Sequence, residues 1–272
     1  MDLQAYLDRI RFNGEARADL ATLRGVHRAY QYAVPFENLD VQLRRPLTTS
    51  VEAAYDKIVR RRRGGWCYEM NGVMGWALEQ IGFEVMRMSA GVMRERVGDV
   101  QLGNHLCLLV RLDQPYLVDV GFGGSLSEPT PLQTSAFEDH PYRVSLNRTT
   151  DGYWRFTELA LSEPFSFDFH AQPADEVLFS AKCNLLQTDP ASSFVQNLVV
   201  QRRTADTHYS LRGRVLTTLR ATSRDKTLLN SPDELVALLR ERFELEVPEA
   251  ASLWSAICAR HDTLFANEGG QS

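Results

Sequence analysis

Cys67 follows Arg63-Gly64-Gly65-Trp66 and opens an apolar stripe, Met70, Val73, Met74, Ala77, Leu78 and Ile81, that halts at Gly82. The spacing predicts a helix whose first residue is the cysteine. A thiol placed there meets unpaired backbone N–H groups and the positive end of the helix dipole, both of which favour thiolate. The preceding glycines permit a tight turn, and the Arg60 to Arg63 run adds positive potential nearby. A sulfur nucleophile needs a base within hydrogen-bond reach, and the base needs a third group to fix its tautomer. Among six histidines, His105 opens an apolar strand, and Asp119 stands near the end of the next, joined through Asp113-Gln114-Pro115. A hairpin centred near Gln114 sets Asp119 opposite Leu109, four residues from His105 and about 13 Å along the strand. A bulge or sharp twist must then bring the two side chains together. Taken one at a time, the same residues also suit a packing cysteine, a strand-end histidine and a turn aspartate.

Val118-Asp119-Val120-Gly121-Phe122-Gly123-Gly124-Ser125 combines that carboxylate with a glycine-rich loop. Such a loop can bring backbone N–H groups to an anionic ligand, yet it lacks the spacing of a Walker A loop or a dinucleotide fingerprint. A plain glycine-rich turn fits it equally well.

The elements that must carry these residues follow from periodicity. Asp2 precedes a helix with Leu3, Tyr6, Leu7 and Ile10 on one face, expected to end at Asn13-Gly14. A second helix carries Leu20, Leu23 and Tyr30 and stops before Pro35. A third holds Val51, Ala54, Tyr55, Ile58 and Val59 behind a Thr49 to Glu52 capping box. From Phe83 the pattern changes to short apolar runs, at 83–88, 105–112, 116–122, 142–146 and 153–159, which predict a mainly antiparallel sheet or small barrel. Beyond Pro173 come a helix to Leu186, strands near 198–200 and 215–219, and two helices, the first opened by Ser231-Pro232-Asp233-Glu234.

The chain has 272 residues, 44% hydrophobic and 24% charged, which excludes a disordered or low-complexity chain and suits one large domain or a few small ones. A net charge of −5 argues against nucleic acid as the main partner. No run approaches a membrane span, and the first residues lack the pattern of a secretory signal, so a cytoplasmic protein is expected. Cys67, Cys107, Cys183 and Cys258 form no Cys-x-x-Cys pair, so neither a metal site nor a redox motif is expected.

Four segments together resemble the arylamine N-acetyltransferases in order and spacing. They are Val34-Pro35-Phe36-Glu37-Asn38-Leu39-Asp40, Arg63-Gly64-Gly65-Trp66-Cys67-Tyr68-Glu69-Met70-Asn71, Asn104-His105-Leu106 and Val118-Asp119-Val120-Gly121-Phe122-Gly123. A weaker echo is Thr188-Asp189-Pro190-Ala191-Ser192-Ser193-Phe194. The resemblance implies an α+β fold with a cysteine-protease-like core: a helical bundle over residues 1–88, an antiparallel β-barrel over 89–190 and an α/β lid over 191–272. It implies a Cys67, His105, Asp119 triad, Phe36 and Phe122 lining an apolar acceptor pocket, and Gly123 and Gly124 beside the coenzyme A entrance. The implied activity is ping-pong transfer of acetyl from acetyl-coenzyme A to an arylamine or hydrazine, with no metal. A macrolactam-forming amide synthase, a papain-like hydrolase and a non-catalytic ligand-binding module are the competing readings. Shared motif membership and opposite charge also pair Arg63 with Glu37.

Overall fold

The computed structural model describes residues 1–124, 126–160 and 163–265. Helix α1 (Leu3–Arg9) starts where Asp2 accepts the Ala5 N–H, and α2 (Leu20–Ala33) starts where Asp19 accepts that of Thr22. The first helix ends before Asn13-Gly14 because Arg11 takes a left-handed conformation with φ of 60°. Arg9 turns inward at that end and donates to the carbonyls of Ala33, Ile58 and Arg63, tying three segments together. Short α3 (Leu39–Gln42) follows β1 (Phe36–Glu37). The cap of α4 (Val51–Tyr55) is Ser50 rather than Thr49, since the Ser50 hydroxyl oxygen accepts from the Ala53 N–H, and Glu52 accepts from that hydroxyl instead of completing a capping box. A π-helical turn, Asp56–Arg60, continues it and carries Lys57 into the interior. The cysteine then opens α5 (Cys67–Ile81), which ends at left-handed Gly82 as the pattern requires.

The middle of the chain is one eight-stranded antiparallel sheet, curled into a half-barrel. Its strands are β2 (Glu84–Val92), β3 (His105–Arg111), β4 (Pro115–Val118), β5 (Thr130–Pro131), β6 (Ser135–Asp139), β7 (Tyr142–Arg148), β8 (Trp154–Ala160) and β9 (Glu163–Phe169), in the order β5-β4-β3-β2-β9-β8-β7-β6. β3 is buried on both faces. Leu106, Leu108 and Val110 pack with α5 in the helical core, while Cys107 and Leu109 join Leu117, Phe156 and Phe167 inside the curl. After short α6 (Arg94–Val97), α7 (Glu176–Thr188) and α8 (Ser193–Gln196) come β10 (Val199–Arg203), β11 (Thr207–Arg212), β12 (Val215–Arg220) and β13 (Arg224–Leu228). These four form a second antiparallel sheet that β1 extends at one edge. Helices α9 (Pro232–Phe243) and α10 (Trp254–Phe265) complete its core through Leu235, Leu239, Phe243 and Ile257. Among the described residues no helix is long and apolar enough to cross a membrane.

The Arg63 to Glu37 pair exists, at 2.8 Å, inside a larger buried cluster. Lys57 Nζ lies 2.9 Å from Glu69, 3.0 Å from Asp40 and 3.7 Å from Glu37, and Arg63 also meets Asp40 at 3.3 Å. Burial works against charge on Lys57, but the three carboxylates outweigh it and hold its pKa above the ordinary value. The same carboxylates bind backbone: Glu37 accepts the Leu39 N–H and Glu69 the Trp66 N–H. The cluster therefore fastens the segment around Phe36 to the turn that launches α5. Gly64 makes the approach sterically feasible, since a Cβ there would sit 2.1 Å from the Pro35 carbonyl oxygen. Replacing Lys57 with Met leaves buried Glu69 without a cation and Glu37 and Asp40 with Arg63 alone, and should cost about 3–5 kcal/mol in urea unfolding; a cost below about 1 kcal/mol would show that the cluster is not what fastens this turn.

Candidate active site

Helix α5 contributes to this site twice. Cys67 is its first residue, and Asn71, four residues on, lies one turn along the same face. Asn71 Nδ2 donates to Asp119 Oδ1 at 2.8 Å and to the Leu106 carbonyl at 2.6 Å, while its Oδ1 accepts the Val120 N–H at 2.9 Å. One side chain thus ties the helix that begins at Cys67 to strand β3, which carries His105, and to the segment at Asp119 just beyond β4.

The hairpin between those strands is centred on Asp113 rather than Gln114. Arg111 pairs with Pro115 and Leu108 with Val118, so one further step along the ladder sets Asp119 opposite Cys107, not Leu109. Only two residues then separate Asp119 from the level of His105, about 7 Å along a strand. The regular ladder stops at Val118, and the Asp119 side chain spans what is left: Asp119 Oδ2 lies 2.6 Å from His105 Nε2. Its other oxygen accepts from Asn71 and, at 2.8 Å, from the Gly121 N–H. Gly121 must be glycine, because a Cβ would fall 2.7 Å from the Cys67 Cα and 2.6 Å from the Asn71 amide.

With Nε2 committed to Asp119, Nδ1 is the ring nitrogen left to face sulfur; the Cys67 side chain, which donates to the Asn104 carbonyl at 3.8 Å, lies near enough to the imidazole to favour its charged form. All three residues are almost fully buried. Burial alone would push the His105 pKa down, but the Asp119 charge and hydrogen bond, with Cys67 adding to them, raise it to about 10. The ring therefore holds its second proton at neutral pH and presents a cation on the side of the sulfur. Burial pushes two other interior thiols up, Cys183 to about 12 and Cys107 well above its usual value.

Phe122 is half-buried with its ring centroid 5.5 Å from that of His105, and it stacks on Phe165 at 4.9 Å. Phe36 is buried instead, paired through β1 with Gln201 and tilted against Phe194 at 6.2 Å. Trp66 meets the same Phe194 edge-on at 5.6 Å. Gly123 and Gly124 lie just beyond Phe122, with carbonyls accepting from His208 and Arg203 of the second sheet. Periodicity gave no sign of those two partners, and Asn71 was detectable only through its four-residue spacing from the cysteine. A surface groove of about 770 Å³, lined by Arg94, Asp99, Arg148, Asp151 and Arg155, includes none of the triad, and Arg94 within it is already paired with both aspartates.

A family model described as N-acetyltransferase matches residues 19–252. An arylamine N-acetyltransferase of Mycolicibacterium smegmatis is 36% identical over 261 residues, covering 92% of this chain and 94% of that protein. A human arylamine N-acetyltransferase is 30% identical, covering 91% of this chain and 95% of its own. The structure of a Mycobacterium marinum arylamine N-acetyltransferase in complex with CoA superposes with a TM-score of 0.85 at 31% identity, covering 96% of this chain and 99% of that one. The fold, a helical N-terminus packed on a curled antiparallel sheet, is thus shared along nearly the whole length, and the chain belongs to the arylamine N-acetyltransferase family.

Proposed function

We propose that this chain moves an acetyl group from acetyl-coenzyme A to an arylamine or hydrazine by way of a thioester on Cys67. The carrying observation is the burial together of Cys67, His105 and Asp119, with His105 hydrogen-bonded to Asp119 and Cys67 bonded to the carbonyl of Asn104, the residue before His105. In the first half-reaction the Cys67 thiolate attacks the acetyl carbonyl, and the Cys67 N–H at the start of α5 helps hold the oxyanion. The tetrahedral adduct collapses, the bond to the donor sulfur breaks, and the His105 proton passes to the departing coenzyme A. One thioester has replaced another, so little transfer potential is lost. In the second half-reaction the amine nitrogen attacks the acetyl carbon, neutral His105 takes the nitrogen's proton, and the amide leaves Cys67 as thiolate beside imidazolium. Asp119 keeps the ring oriented and balances its charge throughout.

Phe122, edge-on to His105, supports a role as one apolar wall for a flat acceptor. Phe36 acts from the side of Trp66, as part of the wall behind the nucleophile. Gly123 and Gly124 are read as lying along the path of coenzyme A. The molecule is expected to work in the cytoplasm.

Initial velocities with acetyl-coenzyme A against an aniline and a hydrazine should give parallel double-reciprocal lines, and Cys67→Ala should lose roughly a thousandfold or more in turnover. Converging lines, or a Cys67→Ala variant at full rate, would contradict the covalent route. Nitrogen NMR should place the titration of His105 near pH 10 in the intact protein. In Asp119→Asn the largest influence opposing burial is gone, so the midpoint should fall well below that of the intact protein. An intact-protein midpoint at or below the ordinary 6.5 would remove the charged pair from the mechanism.

A further inference from the structure

The glycine loop after Asp119 is held from inside by side chains that the reaction does not use. Gln31 Nε2 donates to the Leu126 carbonyl at 3.0 Å, and His27 Nδ1 lies 3.1 Å from that of Ser127. Asp139 accepts both the Ser127 N–H, at 2.7 Å, and its hydroxyl, at 2.6 Å. In the middle of the loop, His208 Nε2 lies 2.7 Å from the Gly123 carbonyl oxygen and Arg203 Nη1 donates to that of Gly124 at 3.0 Å.

Arg203 and His208 face each other across the β10–β11 ladder, and both are buried. Each is braced in turn by the other sheet. Arg203 Nη2 donates to Asp139 Oδ1 at 2.5 Å and to the His140 carbonyl at 2.5 Å, and His208 Nδ1 lies 2.6 Å from the Tyr142 hydroxyl. Burial, with the Arg203 charge alongside, draws the His208 pKa down to about 4, so the ring is neutral at neutral pH. A carbonyl partner requires the single proton on Nε2, and Nδ1 then accepts from Tyr142. The loop therefore sits at the seam of the two sheets, with its carbonyls drawn toward a fixed cation and a fixed donor. In a planar peptide the N–H points opposite to the C=O, so the Gly124 N–H is turned away from His208.

We propose that Arg203 and His208 are positioning residues for the donor half-reaction: by holding the Gly123 and Gly124 carbonyls toward the second sheet, they fix the course of the loop along which coenzyme A passes. This rests on the reading that the loop lies along the path of coenzyme A. Neither residue touches the reacting atoms. The acceptor half-reaction, which takes place on an acetyl-enzyme after coenzyme A has left, is independent of them.

The test uses His208→Ala, His208→Gln and Tyr142→Phe in the full chain, with thermal melting, calorimetric binding of coenzyme A and steady-state kinetics. His208→Ala should weaken coenzyme A binding by about tenfold, the scale of one lost buried hydrogen bond, and lower kcat/KM for acetyl-coenzyme A in step. Its kcat/KM for the arylamine should stay within about twofold of the parent, since the lost bond lies outside that half-reaction. His208→Gln, whose amide can still donate to the Gly123 carbonyl, should recover most of the loss. Tyr142→Phe leaves an aromatic ring in place and should show a smaller loss of the same kind, which keeps the question decidable if the alanine variant does not fold. Unchanged coenzyme A affinity in a folded His208→Ala or Tyr142→Phe variant, or equal losses in both half-reactions, would overturn the proposal. Failure of the parent chain itself to bind coenzyme A would instead overturn the reading of the loop on which it rests.

Discussion

A carboxylate sealed from water is tolerable only when its oxygens are met by donors, and Asp119 is met by three: the imidazole of His105, the amide of Asn71 and the backbone N–H of Gly121. Much of the catalytic half of the molecule can be understood as what that requirement imposes. Asn71 has to stand one helical turn from Cys67, which fixes the start of α5 relative to β3 and β4. Gly121 has to lack a side chain, because the loop passes against the Cys67 backbone to reach Asp119. In return the unshielded negative charge lets a buried imidazole hold a proton that burial by itself would remove, and the sulfur gains a cation for a neighbour.

Two further buried charge sets hold the surroundings still. The Lys57 cluster joins the Pro35 to Asp40 segment to the turn before Cys67, with three carboxylates shared by two cations. The Arg203 and Asp139 pair joins the two sheets beneath the glycine loop. Breaking a buried pair by removing one member is costly, so both act as rigid fasteners rather than as reserves of net stability. One reaches the turn before Cys67 and the other the loop that follows Asp119.

The helices around the site were legible because their signals are local. The stripe from Met70 to Ile81 with its Gly82 stop, the Asp2 cap and the Ser231-Pro232 start each lie within a few residues of what they specify. Cys67, His105 and Asp119 stood out as residue types in a specific string, but their geometry did not, since a one-residue error in the centre of the hairpin moved Asp119 by two positions along its partner. Strand β13 escaped notice because Arg224 to Leu228 is exposed throughout and so carries no alternation. Strand β1 is only two residues long, and its partner β10 lies more than 160 residues away in sequence. Arg203, His208 and the Lys57 cluster are invisible to periodicity for the same reason: what makes them important is a set of partners that only tertiary folding assembles.

The central claim is that the sulfur of Cys67 carries the acetyl group between donor and acceptor. Intact-protein mass spectrometry after brief mixing with acetyl-coenzyme A, followed by peptide mapping, addresses it most directly. The account predicts a gain of about 42 Da confined to Cys67, which disappears when an arylamine is added. Acetyl appearing on another residue, or no adduct in a preparation that still turns over, would contradict it.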